Sequence, residues 1–376
     1  MILVRFLIDF NYVTGGLALN TVARFEIKYL QYMDEKGTFI SNDVPPAFAR
    51  DLDQLISLYR DMNRIRLLDQ KAYALQRTGK MGTYPAATGQ EAIGVGFGAA
   101  MTKEDVLVPY YRGQASMVQH GVLMEEVLQY WGGYEAGCDY KVAKEDFPIA
   151  VPIATQSLHA TGVAKAMQMR GEKRCVFTEI GEGGTSQGDF YEALNVAGIW
   201  NLGVVFIINN NQWAISVPSK IQTNCETYAQ KAIGAGIDCI QVDGNDVIAV
   251  KDASDQAAEK ARNGGGPTVI ECISLRLCDH TTADDATRYR PDGELDEGWE
   301  KEPILRLRKY LESKNVWGKS EEESMLVELA AEVQTSVDNY LKTPVDPPEA
   351  MFDYLYEELP ERTKLQREIA IQRGAK

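Results

Sequence analysis

Glu182 and Asn211 carry the strongest chemical signal in the chain. Glu182 stands in a glycine-rich turn, Gly181-Glu-Gly-Gly-Thr-Ser-Gln-Gly188, and Asn211 ends the run Asn209-Asn-Asn211. Each follows an apolar stretch that reads as a buried strand, residues 174–180 and 204–208. A carboxylate at one strand tip and a carboxamide at the next can share a metal ion bound to phosphate. Magnesium takes about six oxygen ligands and keeps water while bridging phosphate oxygens. Glu182 offers an anionic oxygen and Asn211 a neutral one; a backbone carbonyl just after Asn211, that of Trp213, can add a third. Gly181, Gly183 and Gly184 lack side chains, so a phosphate can approach their amides. Ser186, followed by Asp189, reads as a capping box opening a helix whose amino end favours an anion.

These residues need a parallel sheet to hold them. A helix of about twelve residues from Asp189 fits between the two strands. Alternation continues through a strand at 240–244, a helix at 247–262 and a strand at 267–277, with Gly264-Gly-Gly-Pro267 as punctuation. A short strand at 106–111 ends in Tyr111-Arg112. This βαβ alternation predicts an α/β fold with a doubly wound, mainly parallel sheet and flanking helices. Ligands then collect at the carboxyl ends of strands. Residues 1–45 read as an amino-terminal arm, with a turn at Asp34-Glu-Lys-Gly37. Residues 46–300 read as the α/β domain, opened by an amphipathic helix from about Pro46. Residues 301–376 read as charged amphipathic helices with a linker at 344–348.

Composition narrows the class. A chain of 376 residues with 45% hydrophobic and 25% charged residues is ordinary for a globular protein. Its formal charge of −15 argues against nucleic acid and anionic membranes as partners. The apolar start, Met1 to Phe10, is too short to span a bilayer and lacks a cleavage site. Six cysteines without paired spacing imply free thiols in a reducing cytoplasm. Of the three histidines, His280 lies in a polar loop that favours function, while His120 and His159 read as structural.

The string from Gly181-Glu-Gly183 to Asn210-Asn211 resembles the thiamine diphosphate signature. The fuller string Gly-Glu-Gly-Gly-Thr-Ser-Gln-Gly-Asp-Phe-Tyr-Glu-Ala is similar to the α subunit of the decarboxylating component of 2-oxo acid dehydrogenase complexes. Gly89-Gln-Glu-Ala92, Tyr111-Arg112, Ala154-Thr-Gln156, Val242-Asp-Gly-Asn-Asp246 and the segment 279–290 match that family in order. Two departures stand out. Glu182 replaces the usual Asp, as in branched-chain members, and Asn209 sits where some members carry a basic or other polar residue that touches phosphate.

The resemblance implies thiamine diphosphate and Mg²⁺ as cofactors, with Glu182, Asn211 and the Trp213 carbonyl as metal ligands. Tyr111 and Arg112 would hold the diphosphate, and Ile153 would lie by the aminopyrimidine. His280 would stand beside the diphosphate and assist acylation of the lipoyl group. The cofactor carries the electron-sink chemistry, but no matched position supplies the carboxylate that activates it. In the resembled family a β chain does so. The implied assembly is a heterotetramer with two β chains, docked on a lipoyl-bearing acyltransferase and inactive as α alone. The expected reaction is oxidative decarboxylation of pyruvate, because residues 75–84 resemble bacterial pyruvate-type members. Branched-chain 2-oxo acids are the alternative. A nucleotide-dependent oxidoreductase is the distant one, since Ser186 stands where G-x-G-x-x-G needs its third glycine.

Overall fold

A computed structural model describes residues 21–40, 44–353 and 355–374. The first twenty residues of the arm, and its residues 41–43, lie outside the described residues. The first strand is β1 (Tyr29–Leu30), followed by α1 (Leu52–Arg77) and α2 (Glu91–Gly98). Next come β2 (Val106–Val108), α3 (Gln114–His120), α4 (Met124–Trp131) and α5 (Thr155–Arg170). The central unit is β3 (Val176–Gly181), α6 (Gly188–Trp200) and β4 (Val204–Asn210), followed by a small ribbon of β5 (Trp213–Ala214) and β6 (Val217–Pro218). Then α7 (Gln230–Ile233), β7 (Asp238–Asp243), α8 (Val247–Arg262) and β8 (Thr268–Ile273) complete the sheet. The remainder is helical: α9 (Glu294–Glu300), α10 (Pro303–Ser313), α11 (Lys319–Leu341), α12 (Ala350–Asp353) and α13 (Glu361–Gly374).

Six strands form one sheet in the order β1-β7-β8-β4-β3-β2, with every pair parallel. Period-two alternation divides its side chains between two cores. Val176, Ile180, Val204, Phe206 and Ile208 face α5 and α6. Phe177, Val205, Ile207, Ile270 and Cys272 face α2, α3 and α8. Both faces are thus covered, as a parallel sheet requires. Cys175 and Cys272 are buried and all six cysteines are free.

Helix ends follow local chemistry. Asp51 caps α1 by accepting the N–H groups of Asp53 and Gln54, a contact worth about 1 kcal/mol. Asp246 caps α8 in the same way and also accepts the Tyr32 and Met33 N–H groups, which fixes the arm beside β1. The turn at 34–37 forms as expected, with Gly37 at φ +73°. Helices α10 and α11 pack on α1 around Tyr59, Leu307 and Leu329.

Three expectations about local structure need correction, the first being the strand expected at 106–111, which stops at Val108 before Pro109. Ser186 does not cap the next helix: it ends a 3-10 turn, Glu182–Ser186, and α6 starts at Gly188 behind Gln187 with no side-chain cap. The 3-10 turn consumes the residues the capping box would have needed. The strand expected at 267–277 stops at Ile273, because its neighbour turns away at Gln212, where φ is +72°. Beyond Ile273 the segment still follows its neighbour, donating backbone N–H from Ser274 to Asn210 O and from Arg276 to Asn211 O. Among the described residues no helix is long and apolar enough to cross a membrane.

Candidate active site at the strand tips

In the register of the sheet Gly181 pairs with Asn209, so Glu182 and Asn211 lie just beyond the two tips. A cavity of about 390 Å³ opens there. Tyr111, Arg112, Ile153, Gly181, Glu182, Gly183, Gly184, Asn211, Trp213 and His280 all line it. Chain segments far apart in sequence therefore bring every anticipated site residue to one place.

The three consecutive asparagines donate to different sets of partners. Asn209 donates to Glu179 Oε1 at 2.8 Å and to Tyr110 Oη at 3.2 Å. Asn210 donates to Glu271 Oε1 at 2.8 Å. Asn211 donates from Nδ2 to Gln90 Oε1 at 2.9 Å. The phosphate contact weighed for Asn209 is not made available, since its side chain is turned into the sheet and does not line the cavity. Gln90, by contrast, fixes which end of the Asn211 carboxamide is committed. It leaves the oxygen as the end that can face a metal.

Among the described residues, each oxygen of the anticipated metal set accepts only a long hydrogen bond from another residue. Glu182 accepts from Asn211 N and from Gln222 Nε2, both at 3.3 Å. Asn211 Oδ1 accepts from Trp213 N at 3.2 Å, and Trp213 O accepts from Arg276 Nη1 at 3.4 Å. The usual N–H···O distance is about 2.9–3.0 Å. One carboxylate with two neutral oxygens suits a hard cation that keeps water and bridges phosphate. It is not a cluster of His, Cys, Asp and Glu, and none of three or more exists among the described residues. Burial raises the Glu182 carboxyl above its ordinary range, a shift a cation would reverse.

Gly181 has an ordinary φ of −69°, and a Cβ there would meet nothing within 4 Å. A side chain would occupy the cradle itself. The other two glycines serve the protein: a Cβ on Gly183 would strike Ala214, and one on Gly184 would strike Ile180. Among the described residues, three of the five non-glycine residues with positive φ, Ala154, Gln212 and Ile215, flank the cavity. A β-branched residue such as Ile215 at φ +55° is costly and is held only by its surroundings.

Arg112 is buried and donates to Ala86 O at 2.6 Å and to His280 O at 2.9 Å. Arg276, a fully buried side chain that the sequence did not single out, donates to Ile215 O at 3.0 Å and Tyr289 Oη at 2.8 Å. It ties the loop after β4 to the 278–290 segment. No carboxylate lies in ion-pair distance of either guanidinium among the described residues. Both approach His280 Nδ1, at 3.2 and 3.4 Å. A guanidinium can only donate, so Nδ1 accepts and the imidazole proton resides on Nε2. Burial, then Arg112 and Arg276, push His280 down to about 3, which keeps it neutral throughout the physiological range.

Ile153 is 43% exposed and faces the cavity, which distinguishes it from a core isoleucine. Tyr111 packs edge-on to His280 at 6.1 Å. The other two histidines lie elsewhere: His120 bonds Asp146 at 2.7 Å, and His159 rests against Phe147. Gln90 and Gln156 carry a sequence signal only through the motifs at 89–92 and 154–156. For Arg276 and Glu179 no sequence signal was at hand.

The family of the dehydrogenase E1 component matches residues 59–349. The chain is 36% identical over 358 residues to the pyruvate dehydrogenase E1 component subunit alpha of Staphylococcus aureus (strain Mu50 / ATCC 700699), covering 95% of this chain and 96% of that one. The protein of the same name from Staphylococcus epidermidis (strain ATCC 12228 / FDA PCI 1200) is 36% identical over 357 residues, 95% of each.

Proposed function

The chain belongs to the dehydrogenase E1 component family, and within it we propose the α chain of a pyruvate-type 2-oxo acid dehydrogenase that works on thiamine diphosphate and Mg²⁺ together with a β chain. The observation that carries this reading is the cavity itself. One carboxylate, two neutral oxygens and a buried guanidinium without a carboxylate converge on it.

Glu182, Asn211 and the Trp213 carbonyl would hold the metal, and Arg112 with Tyr111 would hold the diphosphate. When bound, the cofactor supplies the electron sink for loss of CO₂. Gln90 orients Asn211, and Arg276 fixes the loop that carries Trp213. His280 presents a neutral ring with its proton on Nε2, suited to donate during acylation of a lipoyl group. The carboxylate that activates the aminopyrimidine belongs to the β partner, so the chain is proposed to act in a heterotetramer docked on a lipoyl-bearing acyltransferase. The cytoplasm is the compartment that suits its six free thiols.

Mixing the purified chain with its β partner should create decarboxylase activity that neither has alone. A panel of 2-oxo acids on the mixture should rank pyruvate above branched-chain acids. Full activity of the chain by itself would refute the shared site.

A further inference from the structure

Among the described residues Lys231, in α7, is the one buried lysine, 6% exposed. Its ammonium sits over the rings of Tyr191 and Tyr228, 5.4 Å from each centroid. It donates to Thr185 O at 2.9 Å and to Thr185 Oγ1 at 2.8 Å, and to no carboxylate among the described residues. A buried charge without a counter-charge is costly, and an apolar side chain of similar length would fill the space without that cost. What an apolar chain could not supply is the pair of donors to Thr185.

Those donors act on the metal end of the cavity. An ammonium can only donate, so Thr185 Oγ1 accepts from it and the one hydroxyl proton goes to Glu182 O. Two carbonyls of the 3-10 turn are thereby fixed, Glu182 O by Thr185 and Thr185 O by Lys231. The Glu182 carboxylate itself is gripped only at 3.3 Å, so its aim depends on this backbone. A second, looser path leads to the same carboxylate. Tyr228 Oη donates to Gln222 Oε1 at 3.3 Å, and Gln222 Nε2 donates to Glu182 Oε1. Lys231 in turn stands on a fixed base. The N–H of Ala229, just before α7, donates to Glu271 Oε2 of β8 at 2.9 Å.

Building on the metal assignment above, we propose that Lys231 is a positioning residue for the magnesium ligand Glu182, acting through the Thr185 hydroxyl. Neither Lys231 nor Thr185 lines the cavity, so neither touches metal or diphosphate. Groups that hold a metal ligand in place change metal affinity by about 10–100-fold when removed.

The test is calorimetric titration of Mg²⁺ into the assembled α/β complex in excess thiamine diphosphate, beside thermal unfolding of the metal-free complex. Lys231→Met should bind Mg²⁺ about tenfold more weakly, while the unfolding midpoint stays level or rises. Thr185→Val should show a similar loss, and Thr185→Ser, which keeps the hydroxyl, should bind like the wild type. Lys231→Met and Thr185→Val combined should be no weaker than the weaker single variant, because both break one path. A merely structural Lys231 would lower the midpoint and leave Mg²⁺ affinity unchanged, which overturns the inference. Losses that multiply in the double variant overturn it as well. Should Lys231→Met fail to assemble, the two Thr185 variants decide, and equal Mg²⁺ affinities for them refute the role. Failure of the wild type to bind Mg²⁺ at all would instead overturn the metal assignment on which the role rests.

Discussion

Arg112 and Arg306 are both buried guanidinium groups, and the fold houses them in opposite ways. Arg306 pairs with Asp243 at 2.6 Å and also donates to Met33 O, joining α10 to β7 and the arm. Arg262 is likewise bonded to Asp105. Arg112, at the cavity, has carbonyls and an imidazole nitrogen instead of a carboxylate. Inside a protein a charge without its counter-ion is expensive, so a scaffold arginine is paired within the chain. One kept unpaired is available to an anion from outside. The difference separates residues that hold the fold from residues that wait for a ligand.

That contrast breaks if the two arginines behave alike. Arg306→Met should cost about 3–5 kcal/mol of stability in denaturant unfolding, because it strands Asp243. Arg112→Met should change stability far less, yet weaken Mg²⁺–thiamine diphosphate binding to the assembled enzyme by about a hundredfold or more. A large loss of stability with unchanged affinity for Arg112→Met would erase the distinction.

A smaller effect should sharpen the picture at the metal. Gln90→Leu leaves Asn211 in place but removes the acceptor that fixes its carboxamide. Magnesium titration of the cofactor complex should show an affinity about tenfold weaker, with the unfolding midpoint little moved. The smallest effect belongs to Ser186→Ala. Since Ser186 caps nothing, unfolding should shift by no more than about 0.5 kcal/mol, whereas a working cap would cost about 1 kcal/mol.

Much of the fold was legible because its signals are local. The helix at 247–262 follows from an Asp cap and apolar spacing within its own span, and it forms with those bounds. The strand at 204–210 follows from a continuous apolar run ended by asparagines, and the strand at 176–181 from an apolar run that Thr178 and Glu179 interrupt. Legibility failed where two local preferences competed. Ser186-Gln-Gly-Asp189 could open a helix or close a 3-10 turn, and the turn won by positioning Glu182 beside Asn211. Residues 274–277 read as a continued strand, but regular pairing ends where the neighbouring chain leaves β4 and turns at Gln212.

The chain's own order of residues determined the alternating α/β plan and placed Glu182 and Asn211 at strand ends, since both depend on patterns within a few residues. It also marked His280, because a histidine among Asp and Thr reads as exposed chemistry. Only the tertiary structure decided that Asn211 leans on Gln90, 121 residues away, that Asn209 turns inward to Glu179, and that Arg112 meets no carboxylate among the described residues. Whether a buried charge or amide is satisfied depends on neighbours brought from distant segments. No spacing along the chain encodes that.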